Sequence, residues 1–259
     1  QVPLFATTKI SLLGDSISTY EGYLPPYFES NDAAYYPTGT VTSVTQQYWY
    51  KLIYDKLSDA ALDVNNSWRG TTGVWRNHSD FVGKDYCARV EKYGLGDPDV
   101  VIINGGTNDC TKYSAQHSTY PNQYKANMYP GYSGMSPDLP TDAEFEAVYE
   151  LAEAADTWEE IVALEDGYFI HAYVKLLNMI RFRYPDAKVV MIIGDSFTKR
   201  AQQAILKIAE HYGSLYGYKC VNFFGLSDKI SKVSGVHPDD AGFTYMADII
   251  YDQVGDYID

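Results

Sequence analysis

Four short stretches of this chain carry side chains that could act together on an acyl group. "KISLLGDS" ends an apolar run in Gly14-Asp15-Ser16, and "NNSWRG" ends in Gly70. "NGGTNDC" holds Gly105, Gly106 and Asn108, and "SGVHPDD" holds His237. A serine hydroxyl becomes a nucleophile when a base takes its proton, and imidazole is the side chain that does so near neutral pH. The tetrahedral intermediate then needs N–H donors for its oxyanion. The N–H of Ser16, the N–H of Gly70 and the side-chain amide of Asn108 are three such donors. Asp15 and Gly106 stand beside them as possible substrate contacts. A second Gly-Asp-Ser, "VVMIIGDSFTK", puts Asp195 and Ser196 in the same kind of turn. Residue types alone therefore offer two serines, Ser16 and Ser196. No phosphate-binding G-x-x-x-x-G-K-[ST] loop and no metal-ligand spacing accompanies them, so neither cofactor nor metal is expected.

The elements that must position these residues follow from hydrophobic pattern. Five apolar, β-branched runs predict strands near 9–13, 62–66, 99–104, 188–193 and 219–224. Those at 99–104 and 188–193 lack polar alternation, the mark of strands covered on both faces. Helical patterns lie between them. "TQQYWYKLIYDKL" starts at Thr45. "GYFIHAYVKLLNMIRFRYP" starts at Gly167 and puts Ile170, Val174, Leu177 and Ile180 on one face. "FTKRAQQAILKIAEHYG" is predicted to end at Gly213, with Asp195 and Ser196 as its N-caps. "DDAGFTYMADIIYDQV" comes last. Strands alternating with helices predict an α/β/α sandwich on a parallel sheet, and ligands of such sheets bind outside the carboxyl ends of the strands.

One domain is expected over residues 1–259, with a long loop and helical insertion at about 110–166. The loop half is rich in Tyr, Gly, Pro and Asn, and Tyr113, Tyr120 and Tyr129 are its candidate substrate contacts. The helical half carries two capping boxes, Thr141-x-x-Glu144 and Thr157-x-x-Glu160. Between Ala126 and Val174 there are eleven Asp and Glu and no Lys or Arg. That half reads equally as a solvated acidic face or as a lid over the crevice.

Four motifs in this order resemble the blocks of the SGNH (GDSL-type) hydrolases: "GDSIS" with Ser16, "NNSWRG" with Gly70, Gly106-Thr107-Asn108-Asp109, and "VHP" with His237. The resemblance implies a flavodoxin-like three-layer α/β/α sandwich with a central five-stranded parallel sheet. It implies ester hydrolysis without cofactor, and it makes Ser16 the nucleophile with His237 its base. Ser196 then falls after the fourth strand and becomes a helix cap or a substrate contact. One position departs from the family pattern. Three residues before the histidine, where the resemblance implies an Asp, this chain has Ser234. The candidates to orient His237 are a backbone carbonyl near Ser234, the Ser234 hydroxyl, and Asp195.

The expected activity is removal of a small acyl group, such as acetyl, from a carbohydrate through an acyl-enzyme. Lipase and thioesterase substrates are alternatives, as is a carbohydrate-binding pseudo-enzyme on the same fold. The 25 tyrosines suit stacking on sugars, although many must serve as ordinary packing. A net charge of -14 argues against nucleic acid, which needs a basic surface. No apolar run reaches the roughly 18 residues of a membrane span. Cys87, Cys110 and Cys220 are too sparse for a disulfide framework and read as packing thiols. The chain begins at Gln1 rather than Met, so its start reads as trimmed. Its compartment is not fixed by these residues, and a secreted or periplasmic protein is the direction in which they lean.

Overall fold

The computed structural model of the protein describes residues 7–25, 27, 36, 39–74, 84–110, 127–132 and 138–259. The elements are β1 (Thr8–Gly14), α1 (Tyr48–Tyr50, continued as π-helix over Lys51–Lys56), β2 (Ala60–Ser67), α2 (Tyr86–Tyr93) and β3 (Val100–Asn104). There follow α3 (Thr107–Cys110), α4 (Asp142–Glu153), α5 (Trp158–Val162), α6 (Phe169–Arg183) and β4 (Lys188–Ile193). The chain ends with α7 (Lys199–Tyr216), β5 (Lys219–Asn222), the short pair β6 (Lys232–Ser234) and β7 (His237–Pro238), and α8 (Asp240–Ile258).

β1 to β5 form one parallel sheet in the order β2-β1-β3-β4-β5. All five predicted strands are present. Alternate residues feed two cores. Leu13, Val101, Ile103, Val189, Met191 and Ile193 pack with α2, α4, α5, α6 and α7. Ile10, Leu12, Val100, Ile102, Val190 and Ile192 pack with α1 and α8. Burial on both faces is the reason these strands read as unbroken apolar runs, each large aliphatic side chain contributing about 1.5–3 kcal/mol.

Sequence reading missed or misplaced three features. α2 is a short helix whose face includes a fully buried arginine, Arg89, which dilutes its apolar signal. α7 continues past Gly213 to Tyr216, and the left-handed residue that ends it is Gly217 (φ 73°). Its N-cap is Thr198, whose side chain accepts from Ala201 N, not Asp195 or Ser196. Both predicted capping boxes form, at Thr141 and Thr157. The apolar sides of α4 and α5 pack into the first core through Phe145, Val148, Tyr149, Ala152 and Ile161. Asp142, Glu146, Glu150 and Glu153 are exposed. Over these helices the acidic side chains face solvent.

The three cysteines are free, Cys87 and Cys110 buried. Among the described residues no helix is long and apolar enough to cross a membrane, and no His/Cys/Asp/Glu cluster could hold a metal ion.

Candidate active site

The turns after β1, β2 and β3 are braced to one another at the carboxyl edge of the sheet. β1 ends at Gly14, where a β-carbon would lie 2.7 Å from the Asn104 carbonyl oxygen and 2.9 Å from Ser18 Oγ. A side chain has no room there. The chain then enters a 3-10 turn over Ser16–Ser18 capped by Asp15, whose Oδ1 accepts from Ile17 N at 3.0 Å. Asp15 Oδ2 accepts from Thr107 N at 3.2 Å, which ties this turn to the one after β3. Asp15 is fully buried, and burial pushes its pKa up while these N–H bonds oppose the rise. It is a brace between two turns, not a substrate contact as the sequence suggested.

The turn after β2 is held from the other side. Trp68 N donates to Gly14 O at 3.2 Å, and the backbone reverses at Gly70 with φ 71°. Asn108 donates from its amide to Thr71 O at 2.9 Å. Asp109 accepts from Gly73 N at 2.8 Å. Gly106, also expected at the substrate, is buried (φ 102°) and donates its N–H to the Tyr86 hydroxyl at 2.9 Å. It shapes the turn instead.

Beneath these turns lies Arg89. Its guanidinium donates to the carbonyls of Asn66 and Gly14 and to Thr71 Oγ1, and sits 4.9 Å from the Tyr86 ring centroid. Burial lowers its pKa to about 10, so it stays charged at neutral pH. One side chain thus links the ends of β1 and β2 to the loop carrying Gly70. Nothing in the motifs pointed to it. The available signal was a lone Arg three residues after Tyr86 and one before Val90, on the buried side of a helix.

His237 arrives from the far end of the chain. It lies in β7, which pairs antiparallel with β6 across a two-residue turn. Its Nε2 is 3.0 Å from Ser16 Oγ, although the two residues are 221 apart in sequence. Tyr36 places its ring edge against the imidazole, centroids 5.2 Å apart, and donates its hydroxyl to Pro238 O. Asp239 caps α8 directly behind the histidine. Burial and the nearby Arg69 guanidinium lower the pKa of His237 to about 4. The ring is therefore neutral at pH 7 and able to accept a proton from a hydroxyl at hydrogen-bond distance.

No hydrogen bond joins His237 to Ser234 or to Asp195. Ser234 is exposed and sits opposite His237 in the β6–β7 register. Asp195 is paired with Lys232 Nζ. Lys232 also donates to Ser196 Oγ at 3.2 Å and Ser227 Oγ at 2.8 Å. The second Gly-Asp-Ser is thus neither helix cap nor partner of the imidazole. Tyr129 stacks on His171 of α6, centroids 5.2 Å apart. Tyr113 and Tyr120 lie outside the described residues.

A family model described as GDSL-like lipase/acylhydrolase matches residues 8–153, more than half of the chain, including Ser16, Gly70 and Asn108. The chain belongs to the GDSL-like lipase/acylhydrolase family. The fold of this family recurs in solved structures. A protein from Bacteroides ovatus described as a GDSL-like lipase is 24% identical, with TM-score 0.64 over 95% of this chain and 97% of that one. One from Bacteroides uniformis, described in the same words, is 22% identical, with TM-score 0.66 over 97% of each chain. A family two carbohydrate esterase from Clostridium thermocellum, solved with cellohexaose, is 15% identical. Its TM-score is 0.57 over 97% of this chain and 64% of that one. No curated protein matches the chain. As a member of the GDSL-like family, the chain is a hydrolase of the esterase and lipase type.

Proposed function

We propose that this hydrolase is a serine esterase that removes a small acyl group, such as acetyl, from a carbohydrate. Ser16 is the nucleophile and His237 the base. The observation that carries the reading is the 3.0 Å approach of Ser16 Oγ to a neutral His237 Nε2 at the carboxyl edge of the sheet. His237 takes the Ser16 proton as Oγ attacks the ester carbonyl. Negative charge collects on the carbonyl oxygen and is received by the N–H groups of Ser16 and Gly70 and the Asn108 amide. Asn108 carries two N–H groups. One is donated to Thr71, and the second is the one assigned to the oxyanion. The imidazolium then returns its proton to the leaving alcohol, and water repeats the sequence on the acyl-enzyme.

The small acyl group rests on kinship in fold with carbohydrate esterases, one of them described as an acetyl xylan esterase from Butyrivibrio proteoclasticus. One observation favours a second reading, a carbohydrate-binding pseudo-enzyme: no carboxylate among the described residues is hydrogen-bonded to His237. Activity on acetyl, butyryl and long-chain aryl esters, followed by acetylated polysaccharides, separates the two. Turnover of acetyl esters lost in Ser16→Ala supports the esterase. A folded protein inert to the whole panel supports the binding module, and preference for long chains replaces the acetyl assignment with a lipase.

A further inference from the structure

The residues of the second Gly-Asp-Ser lie where they can act on His237 without touching it. Lys232 is in β6, the strand that pairs with the one bearing His237, and its own register partner is Pro238. Its ammonium reaches across to the turn after β4, where Asp195 accepts from it and Ser196 Oγ lies 3.2 Å away. Ser227 Oγ completes its set of three oxygen partners at 2.8 Å. An ammonium has three N–H donors, so this set saturates it. The ion pair is largely buried, with side-chain exposures of 15% for Lys232 and 8% for Asp195. Asp195 and Lys232 are 37 residues apart in sequence, so the contact joins two parts of the fold.

Tyr36 anchors the β6–β7 pair at Pro238, and the Lys232 contact anchors its other strand. The pair holds three residues and two, belongs to a separate two-stranded sheet, and has its register interrupted between Lys232 and Ser234. Isolated two-stranded hairpins are marginal at best. A carboxylate on the imidazole would fix the ring directly, and no such contact is present among the described residues. We propose that Lys232, Asp195 and Ser196 form a clasp that positions His237 by anchoring its hairpin to the end of β4. The inference rests on the esterase reading for its kinetic consequence. A Ser196–Lys232 nucleophile pair is the competing use of these groups, and Asp195 argues against it. The Ser196 hydroxyl donates to Asp195 Oδ2 at 3.2 Å and accepts from Lys232, so its proton is directed at the carboxylate and not at the lysine nitrogen.

The test joins kinetics to amide hydrogen exchange in Lys232→Met, Asp195→Asn, the double variant and Lys232→Arg. Loss of the clasp is expected to lower kcat about 10- to 100-fold with KM within about twofold, the scale of a small misplacement of a catalytic group. The double variant should lose no more than the worse single one, because the two groups act as one unit. Lys232→Arg, which keeps the charge, should recover most of the activity. Exchange over 232–238 should quicken in Lys232→Met while that of β1 and β3 stays as in the parent. Unchanged kcat, additive losses or unaltered exchange over 232–238 in Lys232→Met would overturn the clasp. If the parent protein hydrolyses no ester at all, the esterase reading falls, and exchange alone then decides whether the clasp holds the hairpin.

Discussion

The two Gly-Asp-Ser turns follow parallel strands that are both interior to one sheet, yet they become different objects. After β1, Asp15 turns inward, caps the 3-10 turn and binds the next loop, and Ser16 meets an imidazole. After β4, the chain makes a plain turn and α7 begins three residues later under Thr198. Asp195 and Ser196 then point their oxygens at an ammonium. The difference is made by what lies opposite. β1 sits between β2 and β3; the turn after β3 supplies Thr107 N, and Arg89 of α2 bridges the ends of β1 and β2. The turn after β4 meets Lys232 of β6. A three-residue motif provides a hydroxyl at a strand end, and the neighbouring elements decide whether it meets an imidazole or an ammonium.

Exchanging the two serines for alanine breaks this comparison most sharply. Ser16→Ala should lower kcat on an aryl acetate by at least about 10⁴-fold, the scale of losing a serine nucleophile. Ser196→Ala should keep kcat within about tenfold, since Lys232 retains Asp195 and Ser227. Steady-state kinetics on both variants checks the pair, and a dead Ser196→Ala beside an active Ser16→Ala would reverse the assignment.

The two aspartates extend it to stability. Asp15→Asn replaces a buried carboxylate that accepts two backbone N–H groups with an amide that can accept through one oxygen. A loss of about 2–3 kcal/mol is expected in urea unfolding. Asp195→Asn should lose less, about 1–2 kcal/mol, because the amide keeps one oxygen for Lys232, which also retains Ser227 Oγ. Equal losses would mean that the two turns are braced alike.

A smaller effect concerns the missing acid. Side chains directly opposite in an antiparallel pair share a face, with β-carbons about 4.5–5.5 Å apart. Ser234→Asp therefore puts a carboxylate beside the imidazole. It should raise kcat a few-fold, on the order of the 0.2–1 kcal/mol of a cross-strand pair, and raise the pKa of His237.

The smallest change is in the pH profile. In the proposed mechanism His237 is a base in its neutral form, so kcat/KM should hold steady down to mildly acid pH and fall as pH drops through about 4. Arg69→Gln removes a positive charge that opposes protonation, so the acid limb should move upward. A limb that stays in place or moves down would show that Arg69 does not act on the imidazole. Folding stability has the same origin. The unfolded chain protonates this histidine near 6.5 and the folded chain near 4, so its contribution is lost as pH falls between those values.

Much of this was legible in the sequence, and the remainder was hidden for identifiable reasons. β1, β3 and β4 announced themselves because both faces are buried, and the capping boxes of α4 and α5 because all their parts lie within four residues. Motif order pointed to Ser16, Gly70, Asn108 and His237, and the fold brings Ser16 and His237 within 3.0 Å of each other. The roles of Asp15, Gly106 and Asp195 were misjudged, because a motif shows which residues stand at a strand end and not which way each one turns. Arg89 broke the apolar pattern of its own helix. Tyr36 and Lys232 act through partners 202 and 37 residues away, a distance no local pattern spans.

The central claim is that Ser16, and not Ser196, is the nucleophile. Labelling the folded protein with a fluorophosphonate, then peptide mass spectrometry, tests it most directly. The account predicts one adduct per chain, on the peptide containing Ser16, and none in His237→Ala over the same time. An adduct on Ser196, or no adduct on folded protein, would contradict it.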